Sequence, residues 1–309
     1  MISRRTVVQL LAAPVLGYTA SEGRPIGLAF GTYGMKSLAA DKALRVIAGI
    51  GYDGAEICLM AGWPADPAKL GAQDYRALRQ VLRNTGLHVA AVQESLAITG
   101  GASKRASNLE RLNRAAEFCN ELALQHRPVI DTIVGGKSAD WEKTKGVIAE
   151  ELRAWASVGE KADLTVCFKP HADQAVNTPE RALWLLREVG SSRLRMVYDY
   201  SHFSLEGLSL AQSLKELLPY TALISLKDSV GTDAKHEYLL PGDGKTDYVE
   251  YFRLLRRLGY SGFAGVEVSS MVHQRAGYDP VATARLCYER LAPAMARGGI
   301  RRLTPKAAR

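Results

Sequence analysis

Cysteine is scarce in this sequence and is not arranged for cross-links or metal binding. The 309 residues include four cysteines, and no two of them form a Cys-X-X-Cys pair. Each is flanked by apolar residues within a predicted strand or helix. They are Cys58, Cys119, Cys167 and Cys287. We expect small buried side chains at these positions, which argues against a disulfide framework and against a cysteine-bound zinc site.

Long hydrophobic runs are missing as well, so the sequence predicts no membrane span. The apolar stretch at residues 7–16 is too short for a bilayer and is interrupted by Pro14. It follows Arg4 and Arg5 and precedes small residues, a pattern similar to a twin-arginine export signal. We therefore expect residues 1–23 to be an export signal and the mature protein to be periplasmic. The alternative is a ragged amphipathic N-terminus on a cytoplasmic protein.

A clustered basic region is the third missing feature. The net charge is +8, but the basic residues are dispersed along the chain, and several of them lie in a C-terminal tail at residues 301–309. Nucleic-acid sites concentrate their positive charge on one face. We therefore expect ordinary solvated charge and no nucleic-acid partner.

What the sequence does contain is a regular alternation of short apolar runs and longer amphipathic segments. Runs rich in Val, Ile and Leu are typical of buried parallel strands, and the segments between them carry apolar residues at helical spacing. Eight such units favour an α/β fold, a single-domain (β/α)8 TIM barrel over residues 24–300. The predicted strands are residues 26–32, 54–58, 88–93, 128–134, 164–169, 195–199, 222–227 and 264–268. A long loop at residues 228–246 is predicted at the barrel mouth.

Polar and charged residues stand at or just beyond the ends of most predicted strands. Active sites of such barrels lie where strands end and loops begin, and a charge within an apolar strand is costly unless it is paired or metal-bound. Their convergence therefore indicates function. They are Glu56, Gln93, Glu94, Asp131, Lys169, His171, Asp199, His202, Lys227, Asp228 and Glu267.

Some of these positions stay open between a functional and a structural role. The structural alternative for Asp199 is an ion pair with a neighbouring lysine. Glu94 and Asp131 are undecided, as is His236 in the predicted loop. The remaining histidines are expected on the surface or in the core. They are His88, His126 and His273.

A set of short motifs follows the same order along the chain. They are Gly51-Tyr52-Asp53-Gly54-Ala55-Glu56, Lys169-Pro170-His171, Asn177-Thr178-Pro179-Glu180, Tyr198-Asp199-Tyr200-Ser201-His202, Leu226-Lys227-Asp228, Pro241-Gly242-Asp243-Gly244, Gly259-Tyr260-Ser261-Gly262 and Val266-Glu267. Together they resemble the xylose-isomerase-like barrel family, which includes sugar epimerases, hydroxypyruvate isomerases, inosose dehydratases and endonuclease IV. The resemblance covers almost the whole chain after the predicted signal.

The resemblance implies one divalent metal with four ligands, of which two are present. Asp199 and Glu267 match an Asp ending strand six and a Glu ending strand eight, and His202 matches a substrate contact. Lys169 replaces the usual Glu of strand five, and Ser225 replaces the usual His of strand seven. A protonated lysine repels a metal. A Mn, Mg or Zn site would therefore depend on Asp199 and Glu267, assisted by His171 or Glu56.

The expected activity is that of a sugar or polyol isomerase or epimerase. Such enzymes remove a proton next to a carbonyl or hydroxyl-bearing carbon and stabilise the developing oxyanion. Glu267 is the expected base or a metal ligand, Lys169 the group that stabilises charge or, if desolvated, a base, and His171 a proton carrier. The expected substrate ligands are His202, Glu56 and Lys227. No nucleotide cofactor is expected.

Three alternatives remain at this point. The two altered ligand positions are compatible with a sugar-binding relative that has lost activity. The same parts would also serve an eliminating lyase or dehydratase acting on a keto-sugar. An abasic-site endonuclease is the least favoured, because relatives of that type use many histidines around several zinc ions and this chain has six histidines in all.

Overall fold

Eight parallel strands form a closed barrel in this computed structural model, which describes residues 24–98, 101–124 and 126–303. The strands are β1 (Ile26–Gly31), β2 (Gly54–Cys58), β3 (His88–Gln93), β4 (Val129–Ile133), β5 (Thr165–Lys169), β6 (Leu194–Asp199), β7 (Thr221–Leu226) and β10 (Gly262–Val266). Each pairs with its neighbour in the ring, and β10 closes onto β1. The predicted (β/α)8 barrel is confirmed, whereas the predicted export signal lies outside the described residues.

Helices connect the strands around the outside of the barrel. They are α1 (Ala40–Ile50), α2 (Ala72–Thr85), α3 (Gly101–Glu121), α4 (Trp141–Ala162), α5 (Pro179–Val189), α6 (Tyr200–Leu205), α7 (Leu210–Leu217), α8 (Tyr248–Arg257), α9 (Ser270–His273) and α10 (Pro280–Arg297). Helix α5 shows how the sequence sets a boundary, because Thr178 accepts from the Arg181 N–H and Pro179 occupies the first turn. No helix in the described ranges is long and apolar enough to cross a membrane.

The strands are buried on both faces, as expected for a parallel barrel inside a ring of helices. Every residue of β1 and β2 is buried. All four cysteines are buried and free, which confirms their predicted role as small core side chains. The core therefore needs no cross-link to hold the strand ends in place.

The stretch after β7 is not the loop that the sequence predicted. Residues Asp228–Thr232 form β8 and residues Lys235–Leu239 form β9, and the two pair as an antiparallel hairpin. Gly231 adopts a φ of +105° near the turn, where an added Cβ would lie 2.2 Å from the Lys235 carbonyl oxygen. The hairpin carries Tyr238 to the barrel mouth.

The predicted basic tail begins inside the fold. The Ile26 N–H donates to the Arg301 carbonyl at 3.0 Å, and Arg302 forms a bridge with Ile26. The Arg302 guanidinium donates to both carboxylate oxygens of Asp53 at 2.9 Å. The chain's last described residues therefore pack at the end of the barrel opposite the mouth, and residues 304–309 lie outside the described ranges.

Candidate active site

Five charged side chains meet where the barrel strands end. Asp131 lies in β4, Lys169 and Asp199 are the last residues of β5 and β6, and Lys227 and Glu267 follow directly after β7 and β10. Because carboxyl ends of parallel strands lie at one end of the barrel, these side chains converge there. Their side chains are at most 12% exposed. We call these five residues the charged cluster.

The charged cluster alternates in sign from one residue to the next. Lys169 Nζ lies 3.1 Å from Asp131 Oδ2 and also contacts Glu267 Oε2. Lys227 Nζ lies 3.0 Å from Glu267 Oε1 and 2.7 Å from Asp199 Oδ2. Glu267 therefore links two ammonium groups, and each ammonium contacts two carboxylates. Buried charges are tolerable only when they are paired and hydrogen-bonded in this way.

The charged cluster keeps Glu267 and Lys169 ionised. Burial alone would raise the pKa of Glu267, but the ammonium groups of Lys169 and Lys227 outweigh it and hold that pKa well below its usual value. Burial would lower the pKa of Lys169, but Asp131 and Glu267 raise it well above its usual value. Glu267 is consequently a weak proton acceptor in this arrangement, and Lys169 is a fixed cation rather than a base.

Glu56 is the least satisfied carboxyl group at the mouth. Burial and the neighbouring Asp131 carboxylate raise the pKa of Glu56 well above its usual value, so its neutral acid form is favoured. Among the described residues, Glu56 Oε1, Asp131 Oδ1 and Gln93 Oε1 have no hydrogen-bond partner. A neutral Glu56 can donate its proton to the Asp131 carboxylate beside it, so Gln93 Oε1 is the atom of the three that is left to accept from a bound hydroxyl group.

Two histidines lie beside the charged cluster with their rings 3.9 Å apart. His171 Nδ1 lies 2.8 Å from the Ala172 carbonyl, which can only accept, so Nδ1 carries the proton and Nε2 keeps a lone pair. Burial and the Lys227 charge lower the pKa of His171 to about 4. His171 is therefore a neutral imidazole with one nitrogen able to accept a proton.

His202 is held from several sides. Its Nδ1 accepts from the Ala172 N–H at 3.2 Å and lies 2.7 Å from the Tyr238 hydroxyl. Its Nε2 lies 3.2 Å from Lys227 Nζ. The side chain is fully buried and its ring packs against His171, so His202 fixes the position of His171 rather than facing solvent.

Several predicted site residues make other contacts. Glu94 pairs with Arg111 at 2.7 Å, whereas Asp131 joins the charged cluster, which decides two positions that the sequence left open. Asp228 accepts from the backbone N–H groups of Gly242 and Gly244 and so shapes the turn after β9. The other histidines also lie outside the cluster: His88 packs against His126 and Phe263, His236 lies near Asp173, and His273 packs against Tyr33.

The sequence interpretation missed two tyrosines of this region. Tyr238 binds His202 from β9, and its ring lies 4.9 Å from Lys227 Nζ. Tyr33 follows the mouth end of β1, and burial, followed by the Glu267 charge, raises its pKa. The signal for Tyr238 was a Gly-containing turn between two short runs, which is typical of a hairpin. Tyr33 had no comparable signal, since it lies in a short helical turn after β1.

A divalent cation does not fit between Asp199 and Glu267 in this arrangement. Asp199 Oδ1 accepts from the backbone and hydroxyl of Ser201, and Oδ2 accepts from Lys227. Both oxygens of Glu267 are likewise engaged, by Lys227 and by Lys169 with Ser225. Throughout the part of the chain that the structure describes, no group of three or more His, Cys, Asp or Glu side chains is placed to hold a metal.

A closed (β/α)8 barrel with buried charges at its mouth defines a class of small-molecule enzymes. The family model described as "Xylose isomerase-like TIM barrel" matches residues 44–286. This chain therefore belongs to the xylose isomerase-like TIM barrel family, as its motifs indicated.

One curated protein and two solved structures illustrate what this chain is similar to. A putative hydroxypyruvate isomerase of Homo sapiens is 25% identical over 244 residues, covering 72% of this chain and 82% of that protein. The crystal structure of the 3-keto-D-glucoside 4-epimerase YcjR from E. coli aligns with a TM-score of 0.70 at 18% identity, covering 87% and 99% of the two chains. The IOLI protein, solved with a bound zinc atom, aligns with a TM-score of 0.72 at 17% identity, covering 87% and 99%. These structural likenesses show a shared fold.

Proposed function

We propose that this protein is an isomerase or epimerase of a sugar or polyol that works by proton abstraction. The observation that carries this proposal is that a fixed ammonium, Lys169, ends strand β5 and a neutral imidazole, His171, follows it two residues later, both at the mouth of the barrel. Proton abstraction next to a carbonyl needs one group to accept the proton and another to stabilise the oxyanion. Family membership and the named isomerase and epimerase relatives support the same reaction class.

The roles of the side chains follow from their contacts. His171 Nε2 takes the proton as the substrate C–H bond breaks, and the electron pair moves onto the carbonyl oxygen. Lys169 donates a hydrogen bond to that oxygen. Isomerisation needs the proton to return to the former carbonyl carbon while the hydroxyl proton of the deprotonated carbon passes to the former carbonyl oxygen, so that the C=O bond forms at the deprotonated carbon. Epimerisation needs a proton delivered to the opposite face of the deprotonated carbon while the electron pair on the oxygen re-forms the original C=O bond. Glu267 holds both ammonium groups in place instead of acting as the base.

The predicted substrate ligands divide into two groups. Glu56 lies beside Asp131 with its neutral acid form favoured, so we assign it to donating its proton to Asp131 or to a substrate hydroxyl. His202 and Lys227 are enclosed by protein groups. We assign them to holding Glu267 and His171 in position behind the substrate.

Solvent deuterium exchange tests the proposed reaction. Purified protein is incubated in D2O with ketoses, keto-glycosides and hydroxypyruvate, and NMR follows deuterium uptake at the carbon next to the carbonyl. We expect uptake with wild type, and loss of about 100-fold or more with Lys169→Ala and Glu267→Ala, as for removal of an oxyanion donor. Lys161→Ala is the matched control, because Lys161 is exposed at the far end of α4.

Each other outcome of this assay has a defined meaning. Sugar binding without exchange by any form would favour a non-catalytic binding protein and contradict the proposal. Exchange accompanied by loss of a hydroxyl group would indicate an eliminating lyase. Equal exchange by wild type and Lys169→Ala would remove Lys169 from the mechanism.

A further inference from the structure

We propose that the ammonium groups of Lys169 and Lys227 form a built-in pair of cations that takes the place of a divalent metal. The pair carries a charge of +2, the charge of one such ion, and it lies among the carboxylates that would otherwise bind the ion. The exclusion of metal stands on geometry alone. The further statement that Lys169 polarises the substrate oxygen rests on the proposed function.

The four positions implied as metal ligands come together at the mouth of the barrel. Ser225 pairs with Asp199 in the register of β6 and β7. Ser225 Oγ lies 3.3 Å from Glu267 Oε2, the same oxygen that Lys169 contacts. The barrel therefore brings the four usual ligand positions together, but Ser225 and Lys169 occupy two of them.

The carboxylates of the charged cluster are already neutralised by its two lysines. Along the charged cluster the order is Asp131, Lys169, Glu267, Lys227 and Asp199, with every neighbouring pair in contact. A metal ion entering this space would have to displace an ammonium from its carboxylates. It would also meet the repulsion of the other ammonium at short range in a buried site, where charges interact strongly.

The two lysines have different surroundings and therefore different roles. Lys227 Nζ is enclosed by Asp199, Glu267 and His202 and lies below the Tyr238 ring. Lys169 has two carboxylate partners among the described residues, Asp131 and Glu267, for its three N–H donors. The third donor of Lys169 is therefore the one left for a substrate oxygen.

Metal binding to the purified full-length protein tests the inference directly. Wild type is stripped with chelator and titrated calorimetrically with Mn²⁺ and Zn²⁺, and its metal content after purification is measured. We expect no saturable site and no metal-dependent rise in melting temperature. Stoichiometric, saturable binding by wild type would overturn the inference without any variant.

The reverse experiment restores the usual metal ligands at the two altered positions. We expect Lys169→Glu/Ser225→His to gain one saturable Mn²⁺ or Zn²⁺ site and a metal-dependent rise in melting temperature. Lys161→Glu, which makes the same charge change at the far end of α4, should gain neither. Circular dichroism checks folding, and if the double variant is unfolded, Lys169→Gln replaces it: this variant removes one ammonium and should bind the same metals more tightly than wild type. A folded variant no different from wild type would contradict the inference.

Chelator in the deuterium-exchange assay separates this inference from the proposed function. Exchange that persists in chelator supports both. Exchange that is lost in chelator and restored by metal overturns the built-in cations and leaves the isomerase proposal standing. No exchange with any sugar, together with no metal binding, overturns the isomerase proposal and leaves the built-in cations standing.

Discussion

His171 is kept neutral at the mouth, whereas Lys169 and Glu267 of the charged cluster are kept ionised. Burial, reinforced by the Lys227 charge, lowers the pKa of His171 to about 4. Between pH 6.5 and pH 4 the unfolded chain therefore binds a proton at this residue and the folded chain does not. Stability must rise with pH across this window and be lost as the pH falls through it.

Replacement of this histidine should flatten that pH dependence. One pKa unit is worth about 1.4 kcal/mol, and the side chain is partly accessible, so we expect His171→Gln to remove about 2 kcal/mol of the stability lost between pH 6.5 and pH 4. Urea unfolding at both pH values measures the difference. His126→Gln is the control because His126 is exposed, and equal pH dependence in the two variants would refute the neutral state of His171.

At the same scale, the sequence predicted which residues reach the mouth but not which of them pair. Strand ends identify Glu94 and Asp131 as equivalent candidates on neighbouring strands. Only the structure shows that Arg111, on helix α3, takes Glu94 away from the cluster. Which of these two carboxylates joins the charged cluster depends on a helix packed outside the barrel. No local sequence pattern around Glu94 indicates that contact.

At the scale of elements, the apolar runs located the barrel strands well. Two predicted strands, residues 54–58 and 88–93, match β2 and β3 at both ends, and the other ends lie within two residues of the prediction. The β8–β9 hairpin escaped prediction because its residues are largely exposed and polar, so it lacks the buried apolar face from which a strand is recognised.

This hairpin can be disturbed separately from the barrel. Gly231→Ala places a Cβ against the Lys235 carbonyl at a φ of +105°, so we expect the hairpin to distort and Tyr238 to leave His202. Exchange activity should fall by about 10-fold or more, because the hydrogen bond that holds His202 against His171 is lost, while the urea midpoint of the barrel changes little.

A second glycine provides the control for that change. Gly49 lies within α1, and an added Cβ there meets no atom within 4 Å. Gly49→Ala should keep full activity and raise stability by about 0.5–1 kcal/mol through helix propensity. Full activity in Gly231→Ala would show that Tyr238 is not needed at the mouth.

For the whole molecule, barrel closure joins residues that are far apart in sequence. Lys169 and Glu267 are 98 residues apart, and Asp53 and Arg302 are 249 apart. Composition predicted a basic tail at residues 301–309, because a cluster of basic residues at a chain end is usually solvated. The contact with Asp53 depends on β1 and β2 lying side by side at the closed end, so it is visible only once the barrel is assembled.

Arg302 should therefore stabilise the whole fold. It donates to Asp53, to the Gly51 carbonyl at 2.6 Å and to the Tyr288 hydroxyl at 2.8 Å. Arg302→Met leaves the Asp53 carboxylate, which is 2% exposed, buried without its cation, and we expect a loss of about 3 kcal/mol in the free energy of unfolding.

Urea unfolding of three variants distinguishes this ion pair from a general effect of the chain end. Arg301→Met should be near neutral, because the Arg301 side chain is exposed and only its carbonyl binds Ile26. Asp53→Asn/Arg302→Met should lose less than the sum of its single variants, since neither buried charge remains. Arg302→Met as stable as Arg301→Met would mean that the barrel closes without this contact. A loss of stability in Arg302→Met that is absent in Arg301→Met is the result we expect, because Arg302 contacts Ile26 in β1 and Asp53 directly before β2.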